Sequence, residues 1–471
     1  MGGVIGMFTF LNASMSGCTN RFLSFELGRG DMAHLQKVFS SSLTVHIIIA
    51  SIILLLGETV GLWFLNEKLV IPPDRMLAAN IVYQTTVIGC MVSVTQVPYN
   101  AMIMANEKMN VYAYAEVVNV CLRLAIVYAL VLSPIDKLVT YGLLSLLVTF
   151  GFSVFYRVYC TTRFQSCKFR LTLERQIVMP MLSFSMWDLY GNVSVMARTQ
   201  GVNMLLNMFF TVSMNAASAV ATSVQNAVMS FAGNLLAAFR PQIVKTYACG
   251  DFSDTVKLIR RASVYTTFLL LVLTLPLLLE IDYVLGLWLK APPPYAATLC
   301  VYVLLFNLVA NLSTVVVSAV HATGHIKRSS LINGSLYLLV VPFSYFGFKR
   351  GMAAEWAYIF NVVAVCGGLT QNAFVVAKFV PGFSVVRYFL HTLFPMLACS
   401  LAAYVAALAV SSSMEPSFVR LCATFALSGV LLSALFYLFL FDRGEQKFIR
   451  EKIKTTYNKS MNVRILHRRM K

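Results

Sequence analysis

Apolar stretches of about 20 residues alternate with short polar breaks along the whole chain. Thirteen can be marked, at 2–20, 41–64, 78–104, 111–133, 138–160, 177–198, 207–237, 263–287, 294–320, 330–347, 354–379, 387–411 and 418–441. At a rise of about 1.5 Å per residue, a helix of that length crosses a hydrocarbon core roughly 30 Å thick. No segment shows sustained strand-like alternation, which argues against a membrane β-barrel. The stretches 2–20 and 207–237 are the least apolar, being rich in Asn, Ser and Gly.

Composition sharpens this pattern. Of the 471 residues, 58% are hydrophobic and 12% charged. A soluble domain carries roughly 25% charge, so this chain cannot cover a water-facing surface and its solvent is largely lipid. A net charge of +18 would suggest nucleic acid in a soluble protein. Here the basic residues sit between apolar runs and read as topology signals, so nucleic acid is set aside. The ten cysteines are scattered, without a CxxC pair, and read as small buried residues rather than disulfides or metal ligands.

One set of alternate loops holds Arg21, Arg29, Lys37, Lys108, Arg163, Lys168, Arg170, Arg175, Arg240, Lys245, Lys257, Arg260, Arg261, Lys327, Arg328, Lys378 and Arg387, and the tail adds ten more. The other set holds Lys68, Arg75, Lys137, Arg198, Lys290, Lys349, Arg350 and Arg420. The bias, 27 against 8, places the C-terminus in the cytoplasm. Thirteen spans then put Met1 on the opposite side without a basic flank. The expectation is that a first helix is missing, and that the intact design has fourteen spans with both ends inside. The tail, 442–471, has a short apolar face of Phe448, Ile449 and Ile453. It reads either as a helix on anionic membrane lipids or as a solvated tail.

The chain also echoes itself at an offset near 220 residues. Gly30-Asp31, Gly61-Leu62-Trp63 and Ala105-Asn106-Glu107-Lys108 are matched in order by Gly250-Asp251, Gly286-Leu287-Trp288 and Ala322-Thr323-Gly324-His325. Both GLW triplets fall on the same side, so the copies share orientation and form a parallel repeat. The expected fold class is an all-α polytopic membrane protein, with two pseudo-symmetric six-helix lobes and two C-terminal helices. The boundaries are an N-lobe over 1–160, a basic linker over 161–176, a C-lobe over 177–380, two extra helices over 381–441 and the tail.

The stretch from Asn215-Ala216-Ala217 through Arg240-Pro241-Gln242-Ile243-Val244-Lys245 to Gly250-Asp251 carries a resemblance to a known family. So does Phe10-Leu11-Asn12 through Arg21-Phe22 to Gly30-Asp31. The chain resembles the polysaccharide transporter (O-antigen flippase, Wzx-like) branch of the multidrug/oligosaccharidyl-lipid/polysaccharide (MOP) exporter superfamily. The resemblance implies a V-shaped, two-lobe flippase in the bacterial inner membrane that works by alternating access. Its implied cargo is a lipid-linked oligosaccharide carried on undecaprenyl pyrophosphate. Its implied partners are the glycan polymerase and glycosyltransferases of surface polysaccharide synthesis.

Polar residues inside spans are the candidate site. Arg123 lies mid-span, and Glu116 sits two turns earlier on the same face. A guanidinium at that depth faces a cavity or a partner. It either meets a pyrophosphate or acidic sugar, or pins two helices through a carboxylate. Asp188, beside Trp187, either takes a proton or Na⁺ or serves as the partner of Arg123. Asn12, Asn20, Asn203, Asn207, Asn215, Gln225, Asn226 and Asn234 make two spans unusually polar. They either line a wet path for sugar hydroxyls or bond neighbouring helices. His321 and His325 share a helix face without a third ligand, and read as an ordinary exposed pair rather than a metal site. Pro98, Pro276 and Pro395 read as kinks. No cofactor is assigned beyond H⁺ or Na⁺ coupling. Two rivals stand beside the flippase: a cation-coupled multidrug exporter of the same superfamily, and a membrane-embedded polysaccharide-processing enzyme. The enzyme reading lacks a nucleophile–base or metal constellation.

Overall fold

The structure, a computed structural model, describes residues 2–68, 71–132, 136–210, 212–447 and 450–451, and for residues 2–13, 132 and 212 the backbone alone. Among these residues there is no strand, and thirteen long helices follow one another through short turns. They are α1 (Gly2–Arg29), α2 (Met32–Glu67), α3 (Met76–Ala105), α4 (Met109–Leu132), α5 (Lys137–Arg163), α6 (Arg175–Phe209) and α7 (Val212–Ala248). After them come α8 (Phe252–Leu289), α9 (Ala296–Thr323), α10 (Lys327–Lys349), α11 (Glu355–Phe379), α12 (Val385–Ser413) and α13 (Phe418–Phe439). Each expected span has its own helix, although the stretch 207–237 begins in the last residues of α6 and continues as α7. The three apolar tail residues, Phe448, Ile449 and Ile453, lie outside the described residues.

Ten of these helices are long and apolar enough to cross a membrane, and α1, α6 and α7 are not among them. The Asn, Ser and Gly content of 2–20 and 207–237 anticipates two of the three. The third, α6, differs from the sequence reading, in which 177–198 is an ordinary apolar run. That run is interrupted by Ser183, Ser185, Asp188, Asn192 and Arg198, and the helix extends to Phe209. Arg198, which the sequence reading places in a loop, is a buried residue within α6. Its guanidinium lies 4.8 Å from the centre of the Tyr337 ring in α10.

Three helices depart from regular α geometry. A π-helical turn, Gly57–Gly61, interrupts α2 beside Tyr83 of α3, whose hydroxyl donates to the Gly57 carbonyl at 2.7 Å. α8 carries Pro276, which lacks a backbone donor, and one turn later the helix breaks at Glu280 (φ −115°, ψ 16°). A second π-helical turn, Phe389–Leu393, precedes Pro395 in α12.

The chain divides into two compact units. The first comprises 1–209, 234–259 and 313–382, and the second 210–233, 260–312 and 383–471. In the second unit, the break in α8 brings Glu280, 1% exposed, to the start of α13. Arg420 donates to its Oε2 through Nη2 (2.6 Å) and Nε (3.0 Å). Ser411 and Thr424 donate to Oε1 at 2.9 and 3.3 Å, and Arg420 Nη1 donates to the carbonyls of Ser411 and Met414. The carboxylate thus has partners on both oxygens, which is what makes a buried charge tolerable. It ties α8 to α12 and α13.

In the first unit, one pair of landmarks, Gly30-Asp31 and Gly250-Asp251, adopts matching geometry. Gly30 (φ 74°) and Gly250 (φ 76°) make the same left-handed turn, which favours glycine. Each is followed by an aspartate at the start of the next helix. Asp31 accepts from the His34 amide at 2.9 Å, and Asp251 accepts from the Asp254 amide at 3.0 Å. Contacts also run between the stretches that carry these landmarks. Lys245 and Gln242 of α7 donate to Glu107, in the α3–α4 turn, at 2.7 and 3.1 Å. Arg21 of α1 donates to the Ala322 carbonyl at the end of α9, at 3.3 Å. The ends of α1 and α7 meet where Cys249 donates to the Gly28 carbonyl at 2.9 Å, and a Cβ on Gly28 would lie 2.7 Å from the Lys245 carbonyl oxygen.

Two outcomes follow from these ties. Glu280→Ala leaves Arg420 without its counter-charge and is expected to lower stability by about 3–5 kcal/mol. Glu280→Leu combined with Arg420→Leu is expected to cost less, and thermal unfolding in detergent compares them; an equal or larger cost for the double variant overturns the account. For Glu107, burial acts to raise the carboxyl, but the Lys245 hydrogen bond and charge, with Gln242, outweigh it and hold the group below the usual carboxylate range. Its contribution is therefore present above the ordinary carboxylate value and is lost as pH falls through the depressed one. At 38% side-chain exposure the pair is of surface strength, about 0.2–1 kcal/mol. Glu107→Gln should lose that amount at neutral pH and approach the parent in acid.

Candidate functional site

The first unit contains a polar cavity of about 420 Å³ among α1, α3, α4 and α5. Arg123 and Glu116, paired on one face of α4 by their spacing, both line it. Asn119 stands between them on the same face. Arg123 Nε donates to Asn119 Oδ1 at 3.1 Å, and Asn119 Nδ2 lies 3.5 Å from Glu116 Oε2. The cation and the carboxylate are thus linked through an amide. Ser16 of α1, Ser93, Gln96 and Asn100 of α3, and Thr149 and Tyr156 of α5 complete the polar lining. Gln96 donates to Asn100 at 3.4 Å. The volume lies within the range of about 300–1,000 Å³ usual for small-ligand sites. Chemically the cavity offers hydroxyl and amide groups for a polar cargo, one guanidinium for an anion and one carboxylate for a cation or proton.

Asp188 stands elsewhere in the same unit, and Arg123 is not its partner. His321 Nε2 of α9 is 3.6 Å from Asp188 Oδ1, and Asn192 donates to Oδ2 at 3.1 Å. The His321 ring packs edge-on against Phe184 with centroids 5.4 Å apart. Arg240 donates to Ser318 of α9 at 3.3 Å, and a Cβ on Gly17 of α1 would lie 4.0 Å from Asp188. The exposed pair expected of His321 and His325 is therefore corrected. His321 is partly buried beside Asp188, while exposed His325 stacks on Phe379 at 4.1 Å. No group of three metal-ligating side chains occurs among the described residues.

The amides singled out in the sequence lie in several places. The side chain of Asn12 falls outside the described residues. Asn20 is half-buried on α1, accepting from Ser24 at 3.1 Å and lying 3.6 Å from the Met104 sulfur. Asn203 and Asn215 are half-buried, and Asn207, Asn226 and Asn234 are exposed. The backbone carbonyl of Gln225 accepts from Asn307 at 3.3 Å in the second unit. None of the described amides among these lines the cavity around Arg123, whose amides are Gln96, Asn100 and Asn119. A signal for those three exists in the sequence: polar residues at helical spacing within the spans 78–104 and 111–133.

No protein-family model matches the sequence, and no curated protein matches it. Solved structures do match the fold. A MATE transporter in complex with MaL6 aligns with a TM-score of 0.68 at 15% identity, over 80% of this chain and 87% of that one. A MOP superfamily transporter from Pyrococcus furiosus aligns at 0.65 and 15% identity, over 80% and 86%. An outward-facing multidrug resistance MATE family transporter of the MOP superfamily aligns at 0.63 and 15%, over 80% and 86%. The chain has the MATE transporter fold.

If the cavity is wet, a cysteine placed in it reacts with a hydrophilic maleimide. Ser93→Cys and Thr149→Cys, in a cysteine-depleted background, are expected to label in membranes, and Leu236→Cys, buried in α7, is not. Absence of labelling at both cavity positions would mean a dry pocket.

Proposed function

We propose that this chain, built on the MATE fold, is a membrane transporter that flips a lipid-linked oligosaccharide across the bacterial inner membrane, with its C-terminus in the cytoplasm. The observation that carries the reading is the position of Arg123 in a cavity otherwise lined mainly by neutral amides and hydroxyls. A guanidinium presents paired donors to a phosphate or pyrophosphate. The surrounding amides and hydroxyls suit sugar hydroxyls. A volume of about 420 Å³ suits the head of the cargo and not an entire glycan. The Asp188–His321 pair is the candidate for ion coupling, and its imidazole favours a proton over Na⁺.

Glu116 favours a second reading. A carboxylate in the same cavity is what a cation-coupled exporter of cationic compounds requires, and a structural neighbour is a multidrug resistance transporter. The two readings differ in which charge matters.

Arg123→Ala, Arg123→Lys and Glu116→Gln separate them. Transport is read as surface glycan in a strain lacking its native flippase and, in parallel, as drug resistance, both normalised to protein in the membrane. The flippase reading expects Arg123→Ala to lose about tenfold or more, Arg123→Lys to lose less, and no drug resistance. Drug resistance abolished by Glu116→Gln, with unaffected glycan, would replace it with the exporter reading. Normal flipping by an inserted Arg123→Ala variant would remove Arg123 from the cargo site.

A further inference from the structure

A second cavity, of about 880 Å³, opens along α10 and α11. Its chemistry is ordered along the two helices. Lys327 and Arg328 begin α10, and Lys378 lies in the last turn of α11. One turn inward, the walls are Leu331, Ile332, Phe374 and Val375. Two turns inward from Lys378 stands Gln371. None of the three cations forms an ion pair among the described residues, and no carboxylate lines the cavity. Lys327 lies over the Trp187 ring at 5.3 Å and Lys378 over Phe379 at 5.6 Å. These contacts place the two ammonium groups against ring faces and supply no counter-ion.

Gln371 supplies an independent observation. Both its amide nitrogen and its amide oxygen are shielded from solvent and have no hydrogen-bond partner. Its neighbour Asn372 accepts from Ser329 and Asn333 through Oδ1 in the α10–α11 contact, with its Nδ2 unpaired, whereas both polar atoms of Gln371 are unpaired. A buried unpaired amide keeps its full desolvation penalty unless something bonds to it. The helix α10 has 23 residues, about 35 Å, so its first turn lies at the headgroup level of a bilayer. The cavity therefore has a cationic mouth at the membrane surface, an apolar throat at acyl-chain depth and an unsatisfied amide within.

We propose that this cavity is a binding site for an anionic phospholipid of the surrounding leaflet. Lys327, Arg328 and Lys378 take the phosphate, Leu331, Ile332, Phe374 and Val375 take an acyl chain, and the Gln371 amide donates to an ester carbonyl. The site is separate from the cavity around Arg123 and does not depend on which cargo that cavity takes.

The test is native mass spectrometry of the purified full chain titrated with phosphatidylglycerol or with phosphatidylcholine of the same acyl chains. The parent is expected to prefer phosphatidylglycerol about tenfold or more. Arg328→Ala with Lys378→Ala should abolish the preference, since both residues are exposed and their loss leaves the helix contact intact. Gln371→Leu, which keeps all three charges, should reduce occupancy by both lipids several-fold. Glycerol phosphate without acyl chains should not compete; if it does, the site is one for free phosphate. Equal binding of the two lipids by the parent, or an unchanged preference in the charge-depleted variant, overturns the proposal. So does a polyprenyl-linked species retained in the site in place of phospholipid.

Discussion

Helices too polar to face lipid must be covered by other helices, and that constraint organises the first unit. α1 carries Ser14, Ser16, Thr19, Asn20 and Arg21 within three turns, and a bilayer offers no partners for them. The structure provides partners on both sides. Ser14 donates to the Ser185 carbonyl of α6 at 2.8 Å, and Thr19 pairs with Ser42 of α2 at 3.0 Å. Ser16 faces the cavity around Arg123, while Gly17 makes room beside Asp188. One polar helix thus borders both the polar cavity and the carboxylate–imidazole pair.

The helices and part of the site are legible in the sequence, because lipid imposes a strong pattern. Helix positions follow from apolar run length. The Gly30-Asp31 and Gly250-Asp251 turns follow from two residue types with narrow conformational roles, and counting residues puts Arg123 and Glu116 on one face. What the sequence hides is the identity of partners distant along the chain. Glu280 sits inside an apolar run, and Arg420, 140 residues later, looks like a charge at a helix start. Neither carries a local signal for the other. His321 reads with His325 because the two are close in sequence, whereas its partner Asp188 lies on α6. The polar residues of α6 are visible one by one, but the apolar residues around them dominate the pattern.

The departures from α geometry show how local backbone and packing are coupled. The absence of side chains at Gly57 and at Gly61 lets Tyr83 reach the backbone, and a Cβ at Gly61 would collide with its hydroxyl. The Gly57 carbonyl accepts from both Tyr83 and the Leu62 amide of the widened turn. At Glu280 the broken helix turns a carboxylate toward Ser411, Arg420 and Thr424. In both places an irregular helix is compensated by bonds to another element, as lipid requires.

Gly28 gives the meeting of α1 and α7 a particular mechanical character. There the Gly28 and Lys245 backbones lie so close that a Cβ on residue 28 would fall 2.7 Å from the Lys245 carbonyl oxygen, and the short Cys249 side chain bonds to the Gly28 carbonyl beside them. A contact made through long side chains can stretch, because rotamers follow a small movement. A backbone contact has nothing that can follow, so a displacement of about an ångström forfeits much of its attraction. Such a junction behaves as a latch rather than a spring: it is closed or it is open, with little between. Any movement that separates these helix ends is therefore abrupt, and a side chain added at residue 28 would act as a wedge that keeps the latch from engaging.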